Sequence, residues 1–231
     1  MWLFDPRSKR TKLSERVLPN YSRGEEIFNM VSHIVGGAIG IATLVLGIIF
    51  AAANIGTRGI LSAIVFGVSM IMLYTMSSIY HGLSSNIGKK VFQIIDHCTI
   101  YFLIAGTYTP ILVCSLADDY PVAAWVTFGS VWGLTVLNIT LNAIDLKKYE
   151  HMSMIGYIGI GWAIAFSLGK VYATLGLGGF LLLLFGGVAY TIGAVIYRFG
   201  SKIPYMHSVF HLFVLAGSIC HSLCIMIYVF F

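Results

Sequence analysis

The chain is predicted to be all-α, a polytopic membrane protein built as a seven-transmembrane-helix bundle with its N-terminus cytoplasmic and its C-terminus outside. Three observations carry that expectation. Of 231 residues, 58% are hydrophobic and only 10% are charged, against roughly 25% charged in a soluble domain. So few charges cannot cover a water-facing surface. Apolar runs of about 20 residues, enough to cross ~30 Å of hydrocarbon, recur along the chain. The 14 Lys and Arg are distributed very unevenly between the loops those runs define.

Residues 1–24 read as a basic cytoplasmic arm, and residues 25–231 as one helical transmembrane domain. The first 30 residues are polar and show no cleavable signal pattern, so the first span is expected to act as its own insertion signal. The apolar runs fall at about 31–53, 60–83, 91–116, 121–141, 153–170, 176–197 and 207–230. Barrel strands would be about ten residues long with strict alternation, which these are not. Pro110 is expected to bend the third run, because its ring removes a backbone hydrogen bond. Tyr120-Pro121 marks the start of the fourth. The fifth is the shortest. The seventh is free of formal charge through Phe231. Glycines inside the runs, such as Gly36, Gly40 and Gly186, suit close helix packing.

Charge sets the orientation. Arg7, Lys9, Arg10, Lys12, Arg16 and Arg23 precede the first run. Lys89 and Lys90, Lys147 and Lys148, and Arg198 and Lys202 fall in alternate loops on that same side. Only Arg58 and Lys170 fall opposite. This positive-inside bias places the N-terminus of a multi-pass membrane protein in the cytoplasm. The net charge of +5 needs no nucleic-acid partner; the arm is expected to lie near anionic headgroups. Four cysteines, all inside apolar runs, argue against a disulfide framework.

Ionisable residues inside spans mark function by default. His33 starts the first run, His81 ends the second, Asp96 and His97 start the third, and His207 and His211 start the seventh. The topology puts all of them at the cytoplasmic end. His207 and His211, four apart, share one helical face. With His81 they make a three-imidazole set of the kind zinc takes, at about 2.0–2.1 Å per nitrogen with a fourth position open to water. Such a metal lowers the pKa of water toward ~7. Asp96 is then the candidate to hold that water or move its proton. Ser77, one turn before His81, is placed to bond the water, the substrate or a ligand imidazole. Glu25, Asn29 and His33 lie along one stripe and are expected to back the site from the first helix. Inter-helix hydrogen bonds or a proton path are the alternatives open to the same residues.

The segments "SSIYH" (Ser77 to His81), "DHCTIYFLIAGTYTP" (Asp96 to Pro110), "HSVFHLFVLAGS" (His207 to Ser218) and "EEIFNMVSHIVGG" resemble the hemolysin III family, bacterial relatives of the progestin and adipoQ receptors. The resemblance covers nearly all of residues 25–231. It implies a zinc ion near the cytoplasmic face on His81, His207 and His211, with Asp96 and Ser77 at matching positions. It also implies kinship with alkaline ceramidases, and so hydrolysis of a lipid amide or ester, with membrane lipid as substrate or ligand and a link to lipid homeostasis. In the common bacterial pattern Glu often follows the first of the two histidines; Ser208 stands there instead, which weakens the case for a second carboxylate. A receptor or regulator with structural zinc is one alternative, and a cytolytic protein another.

Overall fold

The computed structural model describes residues 10–200 and 203–231. Arg7, Lys9 and Lys202, which contribute to the charge bias, lie outside them. Every regular element among the described residues is helical. Helix α1 spans Arg23–Asn54, α2 Thr57–Gly82, α3 Ile87–Pro110, α4 Pro121–Asp145, α5 Glu150–Gly161, α6 Leu168–Gly200 and α7 Met206–Ile225. Six helical segments are long and apolar enough to cross a membrane, so this is a multi-pass membrane protein. Five of them correspond to α1, α2, α3, α4 and α7, with short extensions.

The sixth runs through α5 and α6, Glu150–Arg198, and is 49 residues long. As one straight helix it would measure roughly 75 Å, more than twice a bilayer core. It is broken twice. After α5 the chain tightens into a 3₁₀ turn over Ala163–Ser167. Helix α6 is then interrupted at Gly176, with φ 65 and ψ −177, a conformation that only glycine adopts without strain. The run expected at about 153–170 is therefore a short helix and a turn, and the run expected from 176 begins at this break. Backbone groups freed at the end of α5 must find partners in an apolar setting. The Tyr108 hydroxyl supplies them, donating to the Gly161 carbonyl at 2.8 Å and accepting from the Ile164 N–H at 2.9 Å.

Pro110 ends α3, and the chain continues as a wide π turn over Ile111–Leu116. A missing N–H at Pro110 leaves one helical carbonyl unpaired, which accounts for the widening there. The outer surface is apolar: Ile34, Ile41, Ile49, Leu61 and Val122 are exposed. The interior holds hydroxyls in pairs. Tyr74 donates to Ser218 Oγ at 2.7 Å, and Tyr190 lies at the same distance from that oxygen, tying α2, α6 and α7 together.

The closest seam joins α1 to α2. A methyl group on Gly36 would overlap the Tyr74 ring. Gly36→Ala is therefore expected to lower the half-unfolding temperature in detergent by several degrees, since overpacking costs about 1–3 kcal/mol. An unchanged temperature would mean that Tyr74 moves aside freely.

The two ends of the bundle differ. At one end Arg58 forms a hydrogen-bonded ion pair with Asp118, holding that carboxyl below its usual range. Lys170 lies 6.0 Å over the Tyr120 ring, and Asn54 Nδ2 donates to the Phe230 carbonyl at 2.9 Å. At the other end residues 10–21 cross the bundle as a strap. Arg10 donates to the Ile144 carbonyl at 2.8 Å, and the Thr11 N–H to Asp145 at 2.7 Å. Lys90 donates to the Ser14 carbonyl at 2.7 Å. Half-burial draws the Arg16 guanidinium down from its usual range, and Asp145 opposes that shift.

Candidate metal centre

Residues at the strapped end of α2 and α7 build the site. His81 ends α2, and His207 and His211 occupy the first two turns of α7. All three are buried, and one nitrogen from each lies within 4.8 Å of the others. His207 Nε2 and His211 Nε2 are 3.1 Å apart. Two nitrogens on one tetrahedral ion with bonds of 2.0–2.1 Å stand roughly 3.3 Å apart. The i, i+4 spacing thus delivers close to the separation a metal needs.

Hydrogen bonding supports the same fit. His81 Nε2, His207 Nδ1 and His211 Nδ1 are buried without partners. Buried polar atoms are rarely left so. The unpaired atoms extend next door, to both amide atoms of Asn29 and both ring nitrogens of His33. His33 stacks on His211 with centroids 3.7 Å apart, and Tyr21 of the strap stacks on His207 at 4.8 Å. Burial there pushes the Tyr21 phenol up. This buried nitrogen set could hold a metal ion.

A cavity of about 150 Å³ opens beside the imidazoles. Ser77, Asp96, His207 and His211 line it on the side of the cluster, Leu73, Ile104 and Trp162 belong to its apolar wall, and Thr107, Tyr190 and Thr191 add further polar groups. Asp96 keeps some access to this space and lies beside Ser77 and His81. It is absent from the three-residue cluster itself. His97 also lines the cavity but is not in the cluster: its Nδ1 donates to the Gln93 carbonyl at 2.8 Å and lies 3.6 Å from Asp96 Oδ2, and its Nε2 accepts from Tyr197 at 3.0 Å. His221, deeper in α7, bonds the Leu183 carbonyl at 3.1 Å. His151 is exposed on α5.

A family model described as "Haemolysin-III related" matches residues 21–222, which include every residue of the site. The chain belongs to the haemolysin III family. It is 37% identical over 204 residues to "Hemolysin-3 homolog" of Bacillus subtilis (strain 168), covering 88% of this chain and 94% of that one. It is 35% identical over 205 residues to "Hemolysin-3" of Bacillus cereus, covering 89% and 92%. A more distant relative is the human "Monocyte to macrophage differentiation factor", 26% identical over 168 residues, with 70% of this chain and 67% of that one covered.

Within this haemolysin III protein, the first helix meets the imidazoles through a residue that sequence reasoning passed over. Glu25 does not reach them. It completes a capping box, accepting from the Ser22 N–H at 2.8 Å, and takes the Tyr205 N–H at 2.7 Å, so it ties the start of α1 to the start of α7. Its neighbour Glu26 lies 2.6 Å from His81 Nδ1 and 2.7 Å from Lys89 Nζ. His33 stacks on His211, and Asn29 is buried one turn before His33 on α1. Ser208 is buried, and its hydroxyl has no partner.

Proposed function

We propose that this haemolysin III protein is a metal-dependent hydrolase of lipid amides or esters, with a zinc-class ion held by His81, His207 and His211. The observation that carries this reading is the buried imidazole cluster, with His81 Nε2 left without a partner, opening on a cavity walled largely by apolar residues. Such an ion supplies Lewis acidity, polarising a carbonyl and making water a better nucleophile. The chain's own residues do the rest. Asp96 holds or moves the proton on the side of the cavity nearest the cluster, and Ser77 hydrogen-bonds beside it. Leu73, Ile104 and Trp162 receive an acyl chain and exclude water. Bilayer lipid is the substrate, which fits a role in membrane lipid homeostasis.

The same reading includes seven crossings, with the strapped end and the N-terminus cytoplasmic and the C-terminus outside, in a bacterial plasma membrane. The breaks after Gly161 and at Gly176 support it, since they divide an over-long segment into one crossing out and one back. Charge supports it too: Lys89, Lys90, Lys147 and Lys148 gather at the strapped end, and Arg58 and Lys170 at the other. The basic arm of residues 1–24 and the helical domain of 25–231 are then the two working parts.

The test is turnover. Protein purified in mild detergent is incubated with N-acyl lipids and phospholipids, before and after chelation. Hydrolysis that chelation abolishes and zinc restores supports the proposal. Metal that stays bound with no turnover of any of these lipids defeats it and favours a receptor or regulator with a structural site. The name Hemolysin-3 of the Bacillus cereus relative raises cytolysis as another reading, for which release of dye from protein-free liposomes is the measure.

A further inference from the structure

We propose that Glu26 and Lys89 are positioning residues that fix which nitrogen of His81 is free to bind metal. The inference rests on the metal site proposed above. Its evidence is separate, because neither residue belongs to the imidazole cluster.

The geometry is a chain of three side chains from three helices. Glu26 sits on the second residue of α1's acidic pair, His81 at the end of α2 and Lys89 near the start of α3. Lys89 is 4% exposed, yet carries a formal charge. Its Nζ donates to Glu26 Oε1 at 2.7 Å and to the Leu83 carbonyl at 3.0 Å. Glu26 Oε2 is 2.6 Å from His81 Nδ1. An ionised carboxylate can only accept, so the proton between them belongs to Nδ1. With Nδ1 protonated, the neutral ring has a bare lone pair on Nε2. This is the atom left buried and without a partner beside His207 and His211. Outer partners of this kind orient a ligand imidazole and raise its basicity.

Lys89 decides which way Glu26 can be replaced. In Glu26→Gln the side-chain amide has one acceptor and one donor end. The Lys89 ammonium takes the acceptor end, so the NH₂ faces His81 Nδ1. The imidazole must then accept at Nδ1 and carry its proton on Nε2, which blocks the ligand atom. Removing the ammonium, as in Lys89→Met, frees the amide to turn its oxygen to His81.

The experiment measures metal affinity by competition with a coloured chelator, on purified full-length protein loaded with zinc, with the melting temperature of the metal-free form as the control for folding. Glu26→Ala and Glu26→Gln are each expected to weaken affinity about 10–100-fold. The double variant Glu26→Gln/Lys89→Met is expected to recover most of that loss, although it removes one more native side chain. A merely structural ion pair predicts the reverse, with the double variant no better than the single. Wild-type affinity in both Glu26 variants, or no recovery in the double variant, overturns the positioning role and leaves the metal site standing. A wild type that takes up no zinc overturns both. Should Glu26→Ala fail to fold, the comparison of Glu26→Gln with the double variant decides alone.

Discussion

His207→Ala and His211→Ala are each expected to empty the metal site, with elemental mass spectrometry finding about one metal ion per wild-type chain and less than about a tenth of that in either variant. Both residues lie on one face of α7, and their Nε2 atoms are 3.1 Å apart. Losing either leaves two imidazoles, too few for a site that a three-nitrogen set must hold. The expected effect exceeds the ~10–100-fold that outer partners are worth. His81→Ala belongs to the same group, because it removes the one ligand from α2. Folding is the necessary control. His211 is stacked on His33, and its truncation leaves a void. His207→Ala and His81→Ala remove different packing, so a shared loss of metal from soluble, monodisperse protein points to the ligands. Full metal content in these variants would refute the site.

Asp96→Asn is expected to separate metal binding from chemistry. The carboxylate lines the cavity and is not one of the clustered ligands. Its amide keeps the size and much of the hydrogen bonding but cannot take up a proton. Metal content should stay near the wild-type value while lipid turnover falls by about 10²–10⁴, the usual weight of a general acid or base. Ser77→Ala, which deletes only a neighbouring hydroxyl, should cost less. Turnover of Asp96→Asn within tenfold of wild type would remove the proton-handling role. Loss of metal in this variant would make Asp96 a ligand instead.

Much of this was legible in residue order. Low charge and repeated apolar runs required helices in a membrane, and the Lys and Arg bias brought His81, Asp96, His207 and His211 to one end before any coordinates. The i, i+4 pair in α7 read directly as a clamp. What did not read out depended on competition between neighbours. Glu25 and Glu26 differ by one position, and the i, i+4, i+8 stripe through Asn29 and His33 selects Glu25. Yet Ser22-x-x-Glu25 is also a capping-box pattern, and that local use claims Glu25 for the helix start. Glu26, three residues before Asn29 and seven before His33, lies on the same broad face and is left to reach His81. Lys89 was hidden for another reason. Beside Lys90 it looks like an ordinary loop charge, and only the packing of α2 against α1 and α3 buries it. The break at Gly176 falls where the sixth apolar run is expected to begin, whereas the 3₁₀ turn over Ala163–Ser167 lies inside the fifth run, where unbroken hydropathy gives no sign of it.

The strap has a consequence for biosynthesis. Residues 10–21 leave the ribosome before any helix, but the groups they rest on are made much later. Asp145 closes α4, and His207 opens α7. At about 5–20 residues per second, Tyr21 waits on the order of ten to forty seconds before its stacking partner exists. His207 and His211 lie on the last α-helix, so the imidazole cluster is completed, and the strap settles, only after α7 is made. Tyr21 stacks on His207, so the N-terminal strap, made first, is the last part of the fold to lock.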